Sequence, residues 1–185
     1  MRARTPSRVY GAVNVPIHQN ATYLQEEVGK PKVWDYARGG NPTRAAFEAA
    51  LAALEGGERC FAFASGMAAE TTLLLTLRPG DHVLLADDVY GGTYRLLSKV
   101  LGPWGLAFDT CDLTDPTSVR DAVRAETRFV WVETPSNPTL KIVDIAAGVL
   151  GRACGRGEGG GRQHVSRRPP RNVRSRSAPT WSCTA

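Results

Sequence analysis

Three short apolar runs, HVLLADD (82–88), LAFDTCD (106–112) and RFVWVET (128–134), are each long enough for one strand and too short for a stable helix. Helical stretches at 93–101 and 116–126 separate them. Buried strands joined by helices of that length predict an α/β fold, a mostly parallel sheet with helices flanking both faces. Upstream, Asn41-Pro42 is a helix start, with Asn as N-cap and Pro at the first helical position. Phe47, Leu51 and Leu54 then fall on one face, and Gly56-Gly57 stops the helix. CFAFA (60–64) is a further apolar run, read as a strand that leads through Ser65-Gly66 into a second helix ending at Arg78. Pro79-Gly80 closes that helix with a turn.

Composition breaks at Gly148. Residues 1–147 carry 15 Lys+Arg against 17 Asp+Glu, whereas residues 148–185 carry eight Arg, no Lys and one acid, Glu158. The overall charge of +5 therefore comes from the last 38 residues, which also hold seven Gly and few large apolar side chains. Such a segment buries too little apolar surface to offset its ordering entropy, so a disordered basic tail is expected at 148–185. The first 16 residues have no apolar targeting core and no run reaches membrane-span length, which predicts a cytoplasmic protein with no membrane partner. Cys60, Cys111, Cys154 and Cys183 lack CxxC spacing and a secretory context, and are expected as free thiols with no metal.

In open parallel sheets ligands bind beyond the carboxyl ends of the strands. Ser65-Gly66-Met67 stands between a strand and a helix, where free N–H groups and the helix dipole suit a phosphate. DDVYGGTYR (87–95) leaves Tyr90 at a strand end, where its ring can stack on a flat ligand or its hydroxyl can take part in chemistry. ETPSNP (133–138) uses two prolines to present Glu133, Ser136 and Asn137. Taken singly, each also fits an ordinary role: a capping turn, a packed tyrosine, an idle loop.

Order and combination say more. YARGGNPTR (36–44), LAALEGG (51–57), ASGMAA (64–69), DDVYGGTYR and VWVETPSNPTLKIVDIAA (130–147) together resemble the transsulfuration family typified by cystathionine gamma-synthase and gamma-lyase. The resemblance covers about residues 11–147. It implies a partial fold-type-I, aspartate-aminotransferase-like large domain and the cofactor pyridoxal 5'-phosphate. By that resemblance residues 1–40 form an arm reaching a neighbouring subunit, and 41–147 the N-terminal part of the cofactor domain. Ser65 and the Gly66 and Met67 amides would hold the cofactor phosphate. Tyr90 would stack on the pyridine ring and assist proton movements, and Asn137 would contact the phenolic oxygen or the substrate. Tyr36 and Arg38 look like the pair that reaches a neighbour's phosphate, a role suited to the guanidinium fork. A small amino-acid substrate and, for the intact parent, a dimer-of-dimers homo-oligomer are implied. Nucleic acid is not expected as a partner.

The same resemblance asks for a lysine to bind the pyridoxal aldehyde, in a Ser-x-x-Lys run, and for an Asp-Asn-Thr motif to protonate the pyridine nitrogen. Neither motif occurs, and Lys30, Lys32, Lys99 and Lys141 are the only lysines. Read from the second base of each codon, residues 158–165 permit Lys-Val-Val-Val-Asp-Asn-Thr-Phe. Read from the third base, residues 171–185 permit Gln-Arg-Pro-Phe-Ser-Leu-Gly-Ala-Asp-Leu-Val-Val-His-Ser. Gln163, His164, Asn172, Trp181 and Cys183 nearly fix several of these positions. Two frame changes are therefore expected, one near Gly148 and one between Ser166 and Arg171, in an N-terminal fragment that is itself inactive. The parent reaction would be elimination or replacement at the γ carbon of a homoserine ester or cystathionine. The alternatives are a methionine gamma-lyase or O-acetylhomoserine sulfhydrylase fragment, or a non-catalytic protein whose basic tail binds nucleic acid.

Overall fold

The structure is a computed structural model describing residues 11–144 and the backbone of two further strands at 163–167 and 180–182. The chain forms two compact units, Met1–Ala62 and Phe63–Ala185.

In the first unit, strands β1 (Gln25–Glu27) and β2 (Lys30–Pro31) form an antiparallel hairpin whose turn contains Gly29 at φ +75°. Tyr23 N–H donates to Asp35 O at 3.1 Å and Ala37 N–H to Ala21 O at 2.8 Å, so the segment carrying Tyr36 lies along residues 21–23. Helix α1 (Pro42–Glu55) starts as its sequence requires: the Asn41 side-chain oxygen accepts from Thr43 N at 2.8 Å and Arg44 N at 3.3 Å. It ends on Gly56 in the left-handed region, φ +69°. Phe47 and Leu54 on its apolar face remain exposed.

The second unit is built on a parallel sheet in the order β4-β3-β5-β6-β7. The three apolar runs become β3 (His82–Ala86), β4 (Ala107–Cys111) and β5 (Thr127–Glu133). All of β3 and all of β5 except Arg128 is buried, as a sheet covered on both faces demands. Val83, Leu85, Phe129 and Trp131 pack on one face with Leu74, Leu97 and Leu101, while Leu84, Val130 and Val132 pack on the other with Val119 and Leu113. The covering helices are α2 (Gly66–Leu74), α3 (Gly91–Arg95), a π-helical turn at Leu96–Leu101, α4 (Gly102–Trp104) and α5 (Pro116–Ala122).

The fold departs from expectation in three places. Residues 60–64 are not a strand: none of the sheet's members takes that segment as a ladder partner, and Phe61 and Phe63 are exposed. Helix α2 stops at Leu74, four residues before Arg78, because Thr76 N and Leu77 N turn back to Leu73 O and Leu74 O and tighten the chain. Within the tail expected to be disordered, β6 (Gln163–Arg167) and β7 (Thr180–Ser182) extend the sheet beyond β5. A ladder is made by backbone groups, which any non-proline residue supplies, so the edge of β5 recruits strands that composition alone does not announce. The rest of 148–185, with Cys154 and Cys183, lies outside the described residues.

Candidate active site at the carboxyl ends of the sheet

Strands β3, β4 and β5 run parallel and in register, with Ala86 opposite Cys111 and Leu85 opposite Trp131, so the segments that follow them emerge together at one end of the sheet. Two turns there are tied to each other. Asp88, just after β3, accepts hydrogen bonds from Ser136 Oγ at 2.6 Å, from Thr139 N at 3.1 Å and from Thr139 Oγ1. Tyr90 N donates to the buried Glu133 carboxylate at 2.9 Å. The loop after β5 closes on itself, Ser136 N donating to Lys141 O at 3.0 Å and Lys141 N to Ser136 Oγ at 2.9 Å. Asn137 sits exposed at the tip of that loop, followed by a cis bond to Pro138.

Helix α2 begins in the same unit. Ser65, extended at φ −156°, caps it by accepting from Ala68 N at 3.2 Å, and Ser65 O accepts from Ala69 N. The N–H groups of Gly66 and Met67 take no partner among the described residues, leaving two donors at the positive end of the helix. The Met67 side chain stands next to Gly92. A Cβ there would lie 2.3 Å from the Tyr90 ring and 3.0 Å from Met67 Sδ, so the absence of a side chain is what lets Tyr90 and Met67 close around that position. Thr93 Oγ1 donates to Glu70 at 2.7 Å and joins the start of α3 to α2. The structure thus brings Met67 and Tyr90 together and ties the Tyr90 turn to the Asn137 loop. Tyr36 and Arg38 belong to the first unit, where the Arg38 guanidinium lies 5.0 Å from the centroid of the Tyr36 ring.

Charges at this end are strongly paired. Lys141 Nζ contacts Asp87 at 2.7 Å and Asp112 at 3.6 Å, and the hydrogen bond to Asp87 holds its ammonium above the usual lysine range. The bonds from Ser136 and Thr139 hold the Asp88 carboxyl below the usual carboxylate range, and those from Thr114 do the same for Asp112. Burial, reinforced by Asp87 and Asp112, pushes the Cys111 thiol up to about 11, which favours its un-ionised form. Among the described residues there is no cluster that could hold a metal ion and no helix long and apolar enough to cross a membrane. Sequence reasoning singled out Ser65, Gly66, Met67, Tyr90 and Asn137 as candidates; it did not single out Asp88, Thr139, Lys141 or Gly92, which the structure places against Tyr90 and the loop that carries Asn137. The paired Asp87-Asp88 directly after an apolar run was the available signal, since strand-end carboxylates need donors from another loop.

The family of Cys/Met metabolism PLP-dependent enzymes matches residues 2–151. The chain belongs to that family. Among relatives of this PLP-dependent family, a cystathionine gamma-synthase of Mycobacterium leprae is 50% identical over 150 residues, 80% of this chain and 39% of the relative. A cystathionine beta-lyase of Lactococcus lactis subsp. cremoris is 51% identical over 138 residues, 75% of this chain and 36% of the relative. The chain therefore spans well under half the length of these curated relatives. Among solved structures, metB from Corynebacterium glutamicum superimposes with a TM-score of 0.80 at 39% identity, over 89% of this chain and 42% of that one. A cystathionine gamma-lyase from Lactobacillus plantarum complexed with L-serine gives 0.78 at 38%, over 90% and 42%. The Cys/Met metabolism enzymes are PLP-dependent, so the α/β sheet described above is the fold of a PLP enzyme.

Proposed function

We propose that the described residues form the N-terminal part of the cofactor site of a transsulfuration enzyme acting at the γ carbon of a homoserine ester or cystathionine. The observation that carries this is the close approach of the Met67 and Tyr90 side chains around Gly92, on a helix whose first two amides, at Gly66 and Met67, are open. Open helix-start donors fit a phosphate, and a half-exposed ring fits the face of a flat heterocycle. Pyridoxal phosphate, when bound, supplies a ring that withdraws electrons from the substrate's α carbon.

The residues act on that chemistry as follows. Ser65, Gly66 and Met67 bind the phosphate, and Tyr90 orients the ring and holds or moves a proton at its hydroxyl. Asn137 contacts the phenolic oxygen or the substrate. Tyr36 and Arg38 reach the phosphate in a neighbouring subunit of a homo-oligomer, a dimer of dimers in the intact parent. The compartment is cytoplasmic.

On this reading the chain as given does not turn over, since its sequence contains neither an Asp-Asn-Thr nor a Ser-x-x-Lys run. The cause is two frame changes in 148–185. The nearly fixed codons of Gln163, His164, Asn172, Trp181 and Cys183 support this, and so does the position of β6 and β7: the alternative frames put Val-Val-Val-Asp-Asn-Thr at 159–164 and Leu-Val-Val-His near 180–183, close to the two strands that follow β5. A second reading, elimination at the β carbon, is favoured by the 51% identity to a cystathionine beta-lyase.

One experiment tests both. The DNA encoding residues 147–185 is sequenced, the frame restored near Gly148 and between Ser166 and Arg171, and the continued product given cystathionine. Release of 2-oxobutanoate supports γ chemistry, and pyruvate supports β chemistry. A restored frame lacking the Asp-Asn-Thr and Ser-x-x-Lys runs refutes the frame account.

A further inference from the structure

We propose that Asp88 is a positioning residue for the cofactor site: its carboxylate locks the loop that presents Asn137 against the turn that presents Tyr90. This rests on the cofactor reading of Tyr90 and Asn137 given above. One carboxylate oxygen, Asp88 Oδ2, takes Ser136 Oγ at 2.6 Å, Thr139 N at 3.1 Å and Thr139 Oγ1, donors that flank Asn137 on both sides. Ser136 is 3% exposed, and its hydroxyl also accepts from Lys141 N, so the lock reaches across the whole 136–141 loop. Asp88 lies two residues before Tyr90, whose own amide is fixed on Glu133 at the end of β5. The two groups assigned to the cofactor's ring and phenolic oxygen are thus held in one body by hydrogen bonds that cross 43 to 51 residues of sequence. Three donors converging on a single ionised oxygen make a stronger tie than neutral pairs would. Proline at 135 and 138 stiffens the loop, and Lys141 anchors its far end on Asp87 and Asp112, but only Asp88 bonds the residues that flank Asn137.

The test uses the full chain and 4'-deoxypyridoxine 5'-phosphate, which keeps the ring, the phenolic oxygen and the phosphate but has a methyl group in place of the aldehyde, so that no lysine is required. Asp88→Ala and Asn137→Ala should each weaken binding about tenfold, and the double variant should be no weaker than either, because both remove the same contact. Asp88→Asn, which keeps one acceptor oxygen, should recover affinity to within about threefold of the unaltered chain. In Asp88→Ala the amides of Thr139 and Lys141 should exchange with solvent at least about tenfold faster, while those of Val83, Leu84 and Leu85 stay protected. Additive losses, an unchanged affinity in Asp88→Ala, or unchanged exchange at Thr139 would overturn the proposal while leaving the cofactor reading standing. Absence of probe binding by the unaltered chain refutes the cofactor reading and this proposal with it.

Discussion

At the scale of single residues, what a side chain can do here is set by its partners more than by its type. Lys141 lies at the sheet's carboxyl end, yet its ion pairs with Asp87 and Asp112 favour the charged amine, the form that does not attack an aldehyde. Borohydride reduction of the chain mixed with pyridoxal phosphate should therefore give no stoichiometric label at Lys141. Mass mapping of the peptide that contains it checks this, and a single full label there would overturn the assignment. Tyr90 and Arg38 separate two further roles in the frame-restored protein. Tyr90→Phe removes only a hydroxyl assigned to proton movement, so kcat should drop on the order of 10²-fold with cofactor retained. Arg38→Ala removes a phosphate partner, so cofactor should be lost on dialysis while the loaded fraction turns over normally. Indifference to both would sink these roles.

Among elements, α1 shows how a terminus is fixed by a few atoms. Asn41 caps its first turn through two backbone amides, and its side-chain nitrogen donates to His18 O at 3.0 Å. Thr43 Oγ1 accepts from His18 N and donates to Pro16 O, so the same turn anchors the preceding segment. Asn41→Ala should destabilise this helix start by about 1 kcal/mol. Faster amide exchange at Thr43 and Arg44, with the strands of the other unit unchanged, is the expected signature. Exchange left unchanged at those two amides would show that the cap contributes nothing.

For the whole molecule, the buried sheet carries a pH dependence. His82 opens β3 fully buried, its Nδ1 2.7 Å from Thr127 Oγ1, and its Nε2 3.3 Å from Asp109 Oδ2 without a hydrogen bond. Burial first, then the Arg124 cation, hold its pKa below the ordinary 6.5, against the smaller opposing pull of Asp109 and Glu126. The folded form thus binds this proton less readily than the unfolded chain. The stability that neutral His82 contributes is complete above about pH 6.5 and is lost as pH falls through that value towards the folded pKa. Denaturant midpoints measured from pH 7.5 to 5 should fall, and His82→Gln should flatten that fall. An identical slope in the variant would assign the effect to other groups.

The sequence by itself determined the elements whose signals are local. The apolar runs that became 82–86, 107–111 and 127–133, the Asn41 cap and the Gly56 stop were all legible because each depends on neighbours within a few residues. The ordered motifs made the family legible as well. Tertiary structure alone decided the rest. Residues 60–64 have strand composition, but a strand exists only where another strand offers a ladder, and none among the described residues does. The strands at 163–167 and 180–182 are the converse, backbone pairing that overrides an unpromising composition. Asp88 meets Ser136 across 48 residues and Lys141 meets Asp87 across 54. Such partners come together only when a parallel sheet brings its strand ends to one side, so no local reading could name them.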